Sequence, residues 1–171
     1  MRRSVHTAEG SLQPSMTNKE LLAYLHPDLF IPDLKARNKL DAIQKMVAHL
    51  VEKKRVRDAK IVLEAIKTRE KLGSTGIGKG VAVPHSRSTV TSALTLLFAR
   101  CIDGVDYDAI DDKPVHLLFM ILAPHQDKNS EYLPLLGKLV EVTRDAAVRR
   151  RLLKIEDYSG LAEAIEKAKT K

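Results

Sequence analysis

The chain is poor in several things at once: it has one cysteine, no tryptophan, and aromatic residues make up only 4% of its 171 positions. A lone Cys101 excludes an internal disulfide and leaves no companion thiol for a zinc site, so a reducing compartment, the cytoplasm, is expected. Long apolar runs are also missing. The longest, Leu117 to Ala123, has the length of a buried strand and falls far short of the roughly 20 residues of a membrane span, so no membrane insertion is expected. Residues 1–16 carry Arg2 and Arg3 without an apolar stretch behind them. They match neither a secretory nor a twin-arginine signal and are expected to form a mobile tail ahead of a single domain over 17–171. An excess of acid is absent too, because the net charge is +7 with a pI near 9.5. The basic runs EKKRVR (52–57) and VRRR (148–151) come without aromatic interleaving or a nucleic-acid motif. They are expected to be solvated helix faces, with no specific nucleic-acid partner.

What is present is patterned. Thr17 and Glu20 stand at capping-box spacing before Leu21, Leu22 and Leu25, predicting a short helix that ends by Pro27. LFIP (29–32) suits a short strand. Leu40, Ile43, Val47, Leu50 and Val51 predict an amphipathic helix over about 38–53. Asp58 caps a further helix carrying Ile61, Leu63, Ile66 and Leu72, closed by Gly73. Three strands follow, over 81–83, 93–102 and 115–123, the last two joined by the turn-rich GVDYDAIDDKP (104–114). Beyond Pro124 helical spacing returns in Leu133, Leu136, Leu139 and Val140, continues through Leu152 and Leu153, and gives way to a last helix capped by Ser159. This order predicts an α/β fold, a sheet covered by helices.

Half of the eight glycines crowd into residues 73–80, within REKLGSTGIGKGVAVPHSR (69–87). Glycine admits positive φ and close approach of backbone N–H groups to an anion, and proline fixes how the next residue leaves. Gly73, Gly78 and Lys79 approximate a nucleotide P-loop, but Gly80 stands where its Ser or Thr belongs. A helix also precedes the loop and a strand follows, the reverse of the P-loop order. His85 is then the group able to do chemistry, since neutral imidazole attacks phosphorus near pH 7; read alone, such a histidine is more often an ordinary strand-end polar residue.

The same stretch resembles the fructose/mannitol type of enzyme IIA of the phosphoenolpyruvate-dependent sugar phosphotransferase system, including its nitrogen-regulatory branch. Arg69-Glu70, Leu72 to Gly78, Gly80 and Val81-Ala82-Val83-Pro84-His85 carry the resemblance. Val105-Asp106-Tyr107, Asp111 and Pro114-Val115 extend it, and it covers residues 17–169. It implies a mixed central β-sheet of about five strands flanked by helices on both sides. It further implies that His85 is phosphorylated through Nε2 by the phosphohistidine of the carrier HPr, and that Arg69 balances phosphoryl charge. No cofactor or metal is implied. The partners implied are HPr and either a sugar-specific enzyme IIB or regulated target proteins. Gly76, Gly78, Lys79, Gly80 and Ser86 are the candidate phosphate contacts. Tyr132 stands where many members carry a second histidine, Lys79 where glutamate or asparagine is common, and Ser86 where glycine is usual. These departures leave open a degenerate, interaction-only module that no longer accepts phosphate. The remaining histidines, His6, His26, His49, His116 and His125, are expected to be structural or exposed.

Overall fold

A computed structural model describes residues 15–169; most of the expected tail, residues 1–14, and His6 with it, lies outside the described residues. Thr17 closes a full capping box with Glu20 at the start of α1 (Asn18–Leu22). Asn38 caps α2 (Lys39–Glu52) by accepting from Asp41 N, and Asp58 caps α3 (Ala59–Glu70) by accepting from Lys60 N and Ile61 N. Each such oxygen satisfies N–H groups that the helix itself leaves unpaired, stabilising it by about 1 kcal/mol.

Six strands form one mixed sheet: β1 (Phe30–Ile31), β2 (Gly76–Gly78), β3 (Val81–Ala82), β4 (His85–Ser88), β5 (Thr95–Val105) and β6 (Val115–Pro124). The spatial order is β1-β5-β6-β3-β2, with β4 continuing the β3 line along β6. β5 and β6 are antiparallel, whereas β1 runs parallel to β5 and both β3 and β4 run parallel to β6. Side chains alternate across the sheet. Leu96, Phe98, Leu117, Phe119 and Ile121 therefore face α1, α4 (Tyr132–Arg144), α5 (Ala146–Leu152) and α6 (Tyr158–Glu166). Leu97, Ala99, Leu118, Met120 and Leu122 face α2 and α3. Among the described residues no helix is long and apolar enough to cross a membrane.

Several expectations are corrected in detail. β2 and β4 are strands that the apolar pattern did not predict, because three of their seven residues are Gly and Arg and two more are Ser. The 29–32 strand shrinks to Phe30–Ile31. The long helix after Pro124 is two helices broken at Asp145, whose carboxylate caps α5 through Ala147 N at 2.8 Å. α6 is capped by Asp157, accepting from Gly160 N at 2.9 Å, and Ser159 sits inside it. α3 buries Val62 and Ile66 and leaves Ile61 exposed, as is Leu72 in the turn just beyond it. The 52–57 basic run forms the turn after α2 with Val56 buried, while 148–151 does lie on α5.

Candidate functional site

Pro84 interrupts the line between β3 and β4, so β4 begins at His85, opposite Ile121 of β6. The imidazole is half-buried and held from both sides. Nδ1 lies 2.7 Å from the Val83 carbonyl, which can only accept, so Nδ1 carries the proton. Arg69 Nε, which can only donate, lies 3.1 Å from Nε2, so Nε2 presents its lone pair. The two contacts agree on one tautomer. Burial, and secondarily the Arg69 charge, hold the imidazole below its ordinary pKa against the opposing Val83 bond, favouring the neutral ring at pH 7. Arg69 is itself anchored, donating from Nη1 to the Gly73 carbonyl at 3.0 Å.

Behind Arg69 stands Glu70, a residue of the motif to which sequence reasoning gave no role. Its carboxylate accepts from Thr75 N at 3.2 Å, the Thr75 hydroxyl, Lys39 Nζ at 3.1 Å and Tyr107 OH at 3.4 Å. Tyr107 is fully buried, and burial, followed by the Glu70 charge, pushes its phenol far above the ordinary range so that it remains a donor. This network ties the end of α3 to the following loop and to the 104–114 connection. It thereby sets where Arg69 leaves its helix. The Arg-Glu doublet immediately before the glycines was the available signal.

On the other side, Tyr132 at the start of α4 brings its ring centroid 6.1 Å from that of His85. The guanidinium of Arg87 lies 4.8 Å above the Tyr132 ring. Arg87 also went unassigned, although it shares a face with His85 by the two-residue period of a strand. Burial raises the Tyr132 phenol, against the pull of Arg87 and Arg69. An imidazole favoured in its neutral form therefore lies between the Arg69 guanidinium on one side and Tyr132, with Arg87 over its ring, on the other. Leu72 and Leu133, one at the end of α3 and one on α4 beside Tyr132, are 82% and 67% exposed.

The other predicted contacts do not converge on His85. Gly76 N donates to Ser74 Oγ at 3.1 Å, and an added Cβ would meet the Ala109 backbone at 2.7 Å. Gly78, Lys79 and Gly80 have φ of 89°, 56° and 78° and make the tight turn between β2 and β3. Lys79 N donates to Asp111 Oδ2 at 2.8 Å. The Lys79 side chain lines a cavity with His116 and Arg149, at the far end of β3 from His85. Ser86 adjoins His85 in sequence, but its side chain takes the opposite face of the strand and its hydroxyl donates to Arg87 O at 3.0 Å. Among the described residues no group of three or more His, Cys, Asp or Glu side chains is placed to hold a metal.

Comparison with known proteins puts this geometry in context. The family model described as "Phosphoenolpyruvate-dependent sugar phosphotransferase system, EIIA 2" matches residues 23–168. A nitrogen regulatory protein of Bradyrhizobium diazoefficiens is 33% identical over 140 residues, covering 80% of this chain and 90% of that protein. The fructose-specific EIIA component of Haloferax volcanii is 37% identical over 129 residues, covering 73% of this chain and 83% of its own length. The chain spans only 21% of the larger fructose-specific EIIABC component of Bacillus subtilis, to which it is 33% identical over 133 residues. Among solved structures, the crystal structure of the nitrogen regulatory protein IIA-Ntr from Neisseria meningitidis superposes with a TM-score of 0.77 at 30% identity. That alignment covers 84% of this chain and 97% of the other.

Proposed function

The chain belongs to the EIIA type-2 family of the phosphoenolpyruvate-dependent sugar phosphotransferase system, and we propose that within it His85 is the phosphoryl acceptor. The observation that carries this reading is the pair of opposed hydrogen bonds that fix the imidazole with Nδ1 protonated and Nε2 unprotonated. Nε2 attacks the phosphorus of a phosphohistidine on a carrier of the HPr type. The N–P bond of the donor breaks, its electron pair returns to the donor imidazole, and a new N–P bond forms at His85. No proton need leave His85, because Nδ1 keeps its own and continues to donate to Val83 O.

Arg69 gives up its contact with Nε2 as phosphorus arrives and turns the same donors onto the phosphoryl oxygens, where charge-assisted bonds are strongest. Arg87 adds a second positive charge on the same strand face. The remaining requirement is alignment of two proteins, which is positioning more than covalent assistance. The exposed Leu72 and Leu133 suit such a docking face. The compartment that fits a lone buried thiol, Cys101, and a cytosolic phosphate donor is the cytoplasm.

The output of phosphorylation is either relay to an enzyme IIB or a change in binding to regulated targets. The exposed Leu72, three residues past Arg69, and Leu133, next to Tyr132, favour the regulatory reading, because a phosphoryl dianion beside such a docking face opposes association with any partner that packs on it. Incubation with phosphoenolpyruvate, enzyme I and HPr is expected to add one acid-labile phosphoryl group by intact mass, and His85→Ala to gain none. A native protein that gains nothing would make the chain the degenerate module, and a variant that still gains phosphate would move the acceptor elsewhere. Adding an enzyme IIB then separates relay, seen as loss of that mass, from regulation.

A further inference from the structure

Lys79 is the motif residue that the His85 site does not use. Its surroundings are chemically distinctive. A cavity of about 170 Å³ is lined by Lys79, Gly80, His116, Leu117, Arg149 and Arg150, closed by Ala146 and Leu153 of the α5 segment. Three permanent cations and an imidazole thus share a space with no carboxylate in its wall. Among the described residues, neither Lys79, Arg149 nor Arg150 has a carboxylate oxygen within 4 Å. The carboxylates of Asp111 and Asp145 are turned to backbone: Asp111 accepts from Lys79 N and Asp145 from Ala147 N. Arg149 spends one terminal nitrogen, Nη1, on the carbonyls of Thr143 and Arg144, both at 2.7 Å. That clamps the guanidinium while leaving its other donors available.

A second observation concentrates charge at the same place. Arg100 is 8% exposed and donates only to carbonyls, from Nε to Pro32 O at 2.8 Å and from Nη1 to Leu153 O at 3.0 Å. Leu153 is part of the cavity wall, so a buried guanidinium that has no carboxylate within 4 Å among the described residues, and acts on Asp33 only at longer range, backs that wall. The lining is also conformationally fixed. Gly80 holds φ of 78°, its carbonyl accepts from His116 N and Leu117 N, and His116 Nδ1 donates to Cys101 O at 3.0 Å.

We propose that this cavity is a binding site for a small phosphate-bearing anion, separate from the phosphoryl site at His85. The volume suits a tetrahedral oxyanion with a few attached atoms and is too small for a polymer. Free phosphate and the phosphate end of a metabolite share this chemistry. The separation follows from the register, since the cavity meets β6 at Leu117 and His85 meets it at Ile121, about 13 Å apart at a strand's rise per residue. The site does not depend on His85 accepting phosphate.

The test is two-dimensional amide NMR of the full chain at constant ionic strength, titrated separately with inorganic phosphate, glucose 6-phosphate and a short single-stranded DNA. Saturable shifts centred on the amides of Gly80, Leu117 and Ala146 are expected with at least one of the two small anions, and which of them binds tighter identifies the source. His85→Ala should retain them. The double variant Lys79→Asn/Arg150→Gln should weaken binding at least about tenfold; asparagine tolerates the positive φ at position 79, and an otherwise unchanged spectrum shows that the variant is folded. No saturable response, a response centred on His85, equal affinity in the folded double variant, or a response to DNA alone would overturn the proposal.

Discussion

At the scale of single residues the site is a balance between a neutral ring and the cations beside it. Removing the guanidinium in Arg69→Ala is expected to slow phosphorylation on the order of 100-fold, the usual worth of one donor aimed at developing charge. Arg69→Lys should recover little, because an ammonium cannot hold Gly73 O and a phosphoryl oxygen with one fork. Initial rates of phosphate transfer from the carrier check both.

The depressed pKa of His85 also has a sign that can be tested. Below its unfolded value of about 6.5 the unfolded chain binds a proton that the folded chain refuses. Stability contributed by the buried neutral ring is therefore complete above that pH and is lost as pH falls through the folded pKa. Denaturant titrations of native protein and His85→Gln should converge as pH drops over that window. Across the same window the phosphorylation rate should hold down to pH values where an ordinary histidine has already protonated. The buried tyrosine at 132 is expected to contribute mainly by packing. Tyr132→Phe is expected to leave phosphorylation within about twofold, while Tyr132→Ala, which empties a position only 7% exposed, costs about 3 kcal/mol of stability.

At the scale of elements, the caps and the central strands could be read from the sequence, and the break points could not. Thr17 and Asp58 announced their helices because a side-chain oxygen beside an apolar period has few other uses. Asp157 was passed over for Ser159, since both can cap and only the tertiary path decides which does. Asp157→Ala is expected to cost about 1 kcal/mol and Ser159→Ala almost nothing, by thermal or denaturant unfolding. β2 and β4 escaped notice because their hydrogen bonds, not their side chains, place them in the sheet. The glycines illustrate the same limit: spacing showed that positive φ was needed, while only the structure shows that the turn serves β2 and β3 rather than the His85 ring. Gly76→Ala should destabilise strongly, because the new methyl meets the Ala109 backbone at 2.7 Å and backbone cannot yield as a flexible side chain does.

At the scale of the whole molecule, two helical layers grip one sheet so that α3, β4 and α4 each bring a side chain to the same edge. Arg69 and His85, sixteen residues apart, were legible together as one motif. Tyr132 was legible only through the resemblance, and its contact with Arg87 not at all, since both depend on how α4 packs over the end of the sheet. The exposed Leu72 and Leu133 make no core contact that folding requires. Leu72→Asp and Leu133→Asp should therefore shift unfolding by no more than about 0.5 kcal/mol while raising the carrier concentration needed for half-maximal phosphorylation rate. A partner that docks elsewhere would leave that concentration unchanged.

Nε2 of His85, and no other atom, is proposed to accept the phosphoryl group. Nitrogen-15 NMR of the uniformly labelled protein, before and after phosphorylation by the carrier, reads it directly. One imidazole should show phosphorus coupled to Nε2 with the proton retained on Nδ1, and the signal should be absent in His85→Ala. Coupling to Nδ1, or to a second histidine such as His116, would contradict the tautomer that Val83 and Arg69 impose.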